Sequence, residues 1–171
     1  MKIVLASPPL EVEVLGPGTP PPLGLFYIAM AAREKLGVEI KIVDACVEGR
    51  YAQEAAARVL ALEPDIFGIS VMSANINRGL KLLRLVKQAR PSLTTVLGGL
   101  HATLFDRLLL REVPEVDLIL RGEAEESFPG GEGRWRGSTG MRRGVRRGRA
   151  GRAGTAPAPW AAVTTWRRKC W

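Results

Sequence analysis

Apolar and polar residues follow one another along the chain in blocks that predict five strands separated by four helices. Short apolar runs bounded by Pro, Gly or Asn are typical of buried strands, and they occur at residues 2–6, 38–45, 66–72, 93–97 and 116–120. The segments between them have the composition of helices, at residues 23–36, 51–62, 75–90 and 103–111. Strands that alternate with helices in this way predict a parallel sheet with right-handed crossovers.

The second strand run differs from the others, and the difference predicts the order of the strands. Residues 38–45 (VEIKIVDA) alternate apolar and polar side chains, whereas the first and third runs are apolar throughout. The second strand therefore belongs at an edge and the other two in the middle. We expect an α/β fold, a flavodoxin-like (Rossmann-like) five-stranded parallel sheet in the order 2-1-3-4-5, with helices on both faces.

The sequence also indicates the burial and the end of one predicted helix, and the cap of another. Residues 23–36 are apolar nearly all round in their first turns, which predicts a largely buried helix, and Gly37 is expected to end it. Asn75 or Asn77 can cap the helix that runs to about residue 90.

The charge of the chain is unevenly distributed. Residues 1–129 hold 14 Lys and Arg against 16 Asp and Glu, a net of −2, whereas residues 130–171 hold 11 against 1, a net of +10. The overall +8 therefore describes the C-terminal segment and not the predicted sheet. We expect one domain over residues 1–128 and a disordered Arg/Gly-rich tail over 129–171, because the tail has no apolar period with which to build a core.

The tail has three open interpretations. Arg, Gly and interspersed Trp are typical of segments that bind RNA or single-stranded DNA. The same composition also arises when a GC-rich gene is translated out of frame, and a linker without function is the third reading. The frameshift interpretation predicts that another reading frame restores a helix after Phe128.

The remaining composition predicts a soluble cytoplasmic protein. Cys46 and Cys170 have no metal-binding spacing and are expected to be free thiols. The N-terminal apolar run is too short for a signal peptide, and no stretch approaches the length of a membrane span.

Ligands of parallel α/β sheets bind at the carboxyl ends of the strands. Residues 96–103 (VLGGLHAT) run from the fourth strand into a paired-glycine turn at this edge, and they include the only histidine of the chain, His101. The loop after the first strand has no acidic residue at its start, which argues against a phosphoacceptor domain. It also has no G-x-G-x-x-G, no P-loop and no Ser/Thr-rich phosphate loop.

The class of ligand that these loops leave open is a bulky one that lies across this edge of the sheet. Gly98 and Gly99 leave room for a flat group to approach the backbone, and Ser70 and Ser73 can offer hydroxyl hydrogen bonds. An ordinary turn at the end of a strand would explain the two glycines equally well.

Five motifs occur in a fixed order: residues 21–29 (PPLGLFYIA), 42–44 (IVD), 64–70 (PDIFGIS), 97–103 (LGGLHAT) and 117–123 (DLILRGE). This series resembles the N-terminal cobalamin (vitamin B12)-binding domain of the B12-dependent radical S-adenosylmethionine (SAM) enzymes, over roughly residues 1–128. The resemblance implies a corrinoid over the carboxyl edge with its nucleotide tail beside the glycine pair. It implies these cofactor contacts: Pro9, Ser70, Met72, Ser73, Gly98, Gly99, His101, Ala102, Thr103, Gly122 and Glu123.

The chain departs from related families in two respects. Cobalamin domains of the methionine synthase type carry Asp-x-His-x-x-Gly after the first strand, and this chain has no histidine there. We therefore expect base-off cobalamin without a histidine ligand, and no metal ligand or catalytic residue from the chain itself. The chain also has no Cys-x-x-x-Cys-x-x-Cys, so the [4Fe-4S] cluster and SAM would belong to a downstream domain, and the segment is not expected to catalyse the reaction by itself.

Three polar residues at the same edge have competing roles. His101 is expected to donate a hydrogen bond to the ligand, with a structural hydrogen bond as the alternative. Asp44 is expected to cap a turn. Glu123 is expected to carry charge at a helix start, or to contact a ligand amide or the downstream domain.

Overall fold

The computed structural model describes residues 1–9, 21–48, 51–125 and 128. In chain order the elements are β1 (Lys2–Ser7), α1 (Leu23–Leu36), β2 (Glu39–Asp44), α2 (Ala45–Glu48), α3 (Ala52–Ala61), β3 (Ile66–Ser70), α4 (Ile76–Ala89), β4 (Thr94–Gly98), α5 (Leu100–Leu104), α6 (Asp106–Glu112) and β5 (Leu118–Ile119). The predicted tail and most of the loop after β1 lie outside the described residues.

The five strands form one parallel sheet in the order β2-β1-β3-β4-β5, which confirms the predicted topology. β1 pairs with both β2 and β3, so the apolar strands lie in the middle and the alternating strand lies at the edge. This order places the ends of β1, β3 and β4 side by side at the carboxyl edge of the sheet.

Each face of the sheet carries its own apolar cluster, because successive side chains of a strand point to opposite faces. Val4, Phe67 and Leu97 belong to the larger cluster, which α3 and α4 cover. Ile3 and Ile66 belong to the smaller cluster, which α1 covers and to which Phe128 also belongs. The helices on both faces therefore hold the sheet rigidly beneath its carboxyl edge.

The prediction that the first helix is largely buried is wrong. Only Leu25, Ala29 and Ala32 of α1 are buried. Four large apolar side chains are exposed: Leu23, Phe26, Tyr27 and Met30. α1 lies beside the edge strand β2, so only one of its faces meets the sheet. Its end was predicted correctly, because Gly37 adopts the left-handed conformation with φ 61°.

The predicted helix over residues 103–111 is two helices. α5 starts at Leu100, directly after the glycine pair. The helical conformation is interrupted at Phe105 (φ −119°, ψ 27°) before α6 begins. Asn75 does occupy the N-cap position of α4, as predicted, but its Oδ1 accepts from the Met72 amide at 2.7 Å and makes no capping bond to an amide of α4.

β5 is held at its amino end by a partly buried polar network. Asp117 Oδ2 lies 2.6 Å from Lys87 Nζ and accepts from the Thr95 amide at 2.8 Å. The Thr95 hydroxyl is fully buried and contacts the Glu115 carbonyl and the Asp117 carboxylate. These contacts fix the start of β5 against β4, at the edge of the sheet opposite the glycine pair.

Candidate functional site

The paired-glycine turn is pinned to the end of β3. The Val71 amide donates to the Gly98 carbonyl at 2.9 Å, and the His101 amide donates to the Val71 carbonyl at 3.3 Å. Between these two hydrogen bonds Gly99 takes φ 92° and ψ 176°, a conformation that is essentially restricted to glycine. The turn is therefore a rigid feature of the edge, in contact with the neighbouring strand.

The two glycines have different surroundings. A Cβ atom added to Gly99 would lie 2.4 Å from the Val71 carbonyl oxygen and 2.7 Å from the Val71 nitrogen. A Cβ added to Gly98 would meet no heavy atom within 4 Å. The protein's own backbone thus requires glycine at position 99, whereas Gly98 leaves open space at the end of β4.

His101 is joined to the loop after β3. Its Nδ1 lies 3.0 Å from the Ser73 hydroxyl, and the two share a hydrogen bond. Its ring also lies against Phe105, with a centroid separation of 4.6 Å. Ser73, His101 and Phe105 therefore form one group on the carboxyl edge, and the imidazole has a partner within the protein.

Thr103 joins the glycine turn to the loop after β5. Its hydroxyl donates to the Gly99 carbonyl at 3.0 Å and accepts from the Gly122 amide at 2.9 Å. Gly122 itself has a φ of 66°, in the left-handed region. Two of the loops that carry predicted contacts are thus connected through one side chain.

The other predicted residues fall into two groups. Ser70, at the end of β3, is half-buried with its Oγ against Gly99, whereas Met72 (59% exposed) and Glu123 are open to solvent at the edge. Ala102 is fully buried in the larger core cluster and Pro9 is also buried, so neither presents a side chain to the edge.

A separate corner of the same edge is built on Asp44. Asp44 Oδ1 accepts from the Ser7 hydroxyl and from the Cys46 amide at 3.2 Å, which confirms its predicted role of capping a turn. Cys46 is a free thiol whose Sγ donates to the Pro8 carbonyl at 3.2 Å. Burial raises the pKa of the Cys46 thiol, so it is mostly protonated at neutral pH.

Exposed apolar side chains around the turn were not among the predicted site residues. They are Leu100, Leu104, Phe105 and Leu108. Their spacing along residues 100–108 was visible in the sequence, but a single apolar period cannot show that two short helices leave these side chains uncovered. Together with Met72 they make the carboxyl edge a mixed apolar and polar surface.

The described part of the chain contains no group of three or more His, Cys, Asp or Glu residues that could hold a metal ion. None of its helices combines the length and the apolar character needed to cross a membrane.

Comparisons with known proteins assign the chain to a family. The model of the B12 binding domain matches residues 15–130, so the chain belongs to the B12-binding domain family. It is 34% identical over 131 residues to the uncharacterized methyltransferase PH0819 of Pyrococcus horikoshii, covering 75% of this chain and 28% of that protein. It is 30% identical over 109 residues to the anaerobic magnesium-protoporphyrin IX monomethyl ester cyclase of Rubrivivax gelatinosus, covering 64% and 20%.

A solved structure gives the same result for the fold. The cobalamin-dependent S-adenosylmethionine radical enzyme OxsB, solved with aqua-cobalamin and S-adenosylmethionine bound, superposes with a TM-score of 0.63 at 18% identity. The match covers 75% of this chain and 18% of that one. The resemblance to the cobalamin-binding domain of radical SAM enzymes is therefore confirmed, and the chain spans between a fifth and a third of the length of the two relatives named above.

Proposed function

We propose that the carboxyl edge of this sheet binds cobalamin, with the corrin ring over the strand ends and the nucleotide tail entering beside Gly98. The observation that carries the proposal is the open space at Gly98, in a domain of the B12-binding family. A nucleotide tail is a flat, bulky group, and it needs a strand end without side chains.

The residues around Gly98 fit such a ligand. The hydroxyls of Ser70 and Ser73 lie at the end of β3, next to β4 in the sheet, where they can hydrogen-bond a polar tail. Met72 and Leu100 are exposed beside them and offer apolar contact to a macrocycle. Hydroxyls next to the open space at Gly98, with apolar side chains around it, match an amphipathic cofactor such as cobalamin.

We assign the ligand contacts to seven of the predicted residues, each exposed or half-buried: Ser70, Met72, Ser73, Gly98, His101, Gly122 and Glu123. Gly99 contributes by shaping the turn. Bound cobalamin supplies a cobalt ion that can carry an alkyl group, and the residues of this chain hold and orient it. The sequence between β1 and α1, residues 8–22, contains no histidine, which supports a base-off cofactor without a histidine ligand.

We also propose that the domain is the cobalamin module of a larger cytoplasmic methyltransferase or cyclase of the radical SAM type. The support is the short share of its relatives that it spans, together with the absence of a Cys-x-x-x-Cys-x-x-Cys motif from its sequence. The [4Fe-4S] cluster and SAM then belong to the rest of that enzyme.

Mixing the purified chain with hydroxocobalamin tests the cofactor assignment. At about 100 μM cobalamin, where even a binding free energy near −5.5 kcal/mol gives half-saturation, we expect a shifted corrinoid spectrum and co-elution in gel filtration. A chain that is folded by circular dichroism and leaves cobalamin free in both measurements refutes it.

A second candidate function follows from the charge of +10 over residues 130–171. A nonenzymatic flavodoxin-like domain with a nucleic-acid-binding tail would bind RNA in a salt-sensitive manner, and this binding would disappear on deletion of residues 130–171. The cobalamin titration separates the two functions, because only the first predicts corrinoid binding.

A further inference from the structure

β5 is too short to fix its own position in the sheet. Its two residues pair with Val96 and Leu97, and one further bond runs from the Leu120 amide to the Leu97 carbonyl at 2.9 Å. A two-residue ladder leaves the segment that follows it weakly held. The position of the loop after β5 therefore depends on contacts made by side chains.

Two threonines make such contacts, one at each end of the strand. Thr95 holds the amino end through Glu115 and Asp117. Thr103 holds the carboxyl end, because its hydroxyl accepts from the Gly122 amide. The two residues have the same chemistry, but only Thr103 lies at the edge where cobalamin is proposed to bind.

A second contact joins the same two segments one residue away. Arg121 Nε lies 3.7 Å from Asp106 Oδ2, and both atoms are buried with no hydrogen-bond partner among the described residues. The separation is too long for a hydrogen bond, so the pair attracts by charge without fixing a geometry. Of these two contacts, the one made by Thr103 is therefore the directional one.

The Thr103 hydroxyl is committed within the protein. Its single proton is donated to the Gly99 carbonyl, and one lone pair accepts from Gly122. A ligand donor could reach only the remaining lone pair. The side chain thus spans the glycine turn and the β5 loop, and it leaves the contacts with a ligand to the residues of those two loops.

We propose that Thr103 is a positioning residue of the cobalamin site, holding the loop of residues 121–123 at a fixed distance from the glycine turn. The assignment rests on the proposed function. It redefines a residue expected to touch the cofactor as one that sets the width of the tail site, so that Gly122 and Glu123 stand opposite Gly98.

Three variants of the full-length chain test the assignment. Thr103→Val removes the hydroxyl and keeps the shape, Thr103→Ser keeps the hydroxyl, and Thr95→Val removes the equivalent hydroxyl at the other end of β5. Thr103→Ala is a second variant without the hydroxyl, should the valine variant fail to fold. The measurements are amide hydrogen exchange over residues 118–125 without cobalamin, the cobalamin Kd, and Tm.

Thr103→Val is expected to speed exchange over residues 118–125. It is also expected to weaken cobalamin binding about tenfold, because binding must then order a loop that the hydroxyl otherwise holds in place. Thr103→Ser is expected to restore both. Thr95→Val is expected to lower Tm while the Kd stays within about twofold of the wild type. Thr95 lies at the opposite end of β5 from the proposed site, and distant sites usually do not couple.

Other results overturn the assignment. Weaker binding by Thr103→Val without faster exchange means that Thr103 contacts the cofactor directly. An unchanged Kd returns Thr103 to a structural role. A wild-type chain that binds no cobalamin refutes the proposed function, and with it the site, even if exchange responds to the substitution as expected.

Discussion

The two glycines that end β4 lack side chains for different physical reasons. Gly99 is required by the close approach of Val71 and by a backbone conformation that other residues avoid, whereas Gly98 faces open space. Only the second feature is directly useful to a ligand. The clearance that the sequence suggested for both glycines therefore belongs to Gly98, and Gly99 supports it by holding the turn against β3.

Alanine at each position separates these roles. Gly99→Ala is expected to lower the free energy of unfolding by about 2–5 kcal/mol, from backbone strain and overpacking against Val71. Gly98→Ala is expected to leave stability within about 1 kcal/mol and to weaken cobalamin binding instead. Urea denaturation and cobalamin titration measure the two effects, and a Gly99→Ala chain as stable as the wild type would contradict this account.

For His101, the sequence indicates the position of the residue in the fold but not its hydrogen-bond partner. Its position after β4, and not after β1, already argued against a cobalt ligand. Its partner Ser73 could not be identified from the sequence, because the two residues are 28 positions apart and meet only through the pairing of β3 with β4. The predicted strand order brings the loops after β3 and β4 together, but it does not tell which side chains of the two loops form a hydrogen bond.

At the level of elements, the strand order was predictable because β2 alternates polar and apolar residues while its neighbours do not. The exposure of α1 was not predictable. Residues 23–30 are apolar nearly all round, and such a pattern does not tell which side meets the sheet. The interruption of the helix at Phe105 could not be predicted either, because the spacing of apolar residues continues through it.

The polar network at the start of β5 is expected to contribute measurably to stability. Asp117→Ala removes the partner of Lys87 and of the Thr95 amide, and we expect a loss of about 1–3 kcal/mol in the free energy of unfolding. Glu39→Ala is the matched control, because the Glu39–Lys41 pair is exposed, 3.8 Å long and worth at most about 1 kcal/mol. Equal effects of the two substitutions in urea denaturation would show that the network does not hold β5.

At the level of the whole molecule, the described part of the chain is one sheet with both faces covered and a carboxyl edge that carries the proposed site. The fold and the family were accessible from five motifs in register, and the family comparison agrees with them. The assignment of residues 1–128 as the cobalamin domain and of 129–171 as a separate tail stays a prediction. Translating the gene in its other two frames tests whether the tail is out of frame.

If this edge holds cobalamin by its nucleotide tail, a corrinoid without the nucleotide must bind more weakly. The test is to compare the Kd of cobalamin with that of cobinamide, which has the corrin but no nucleotide. We predict that cobalamin binds at least about tenfold more tightly, a difference of about 1.4 kcal/mol, and that Gly98→Leu abolishes this preference. Equal affinity for the two corrinoids in the wild-type chain would contradict the claim.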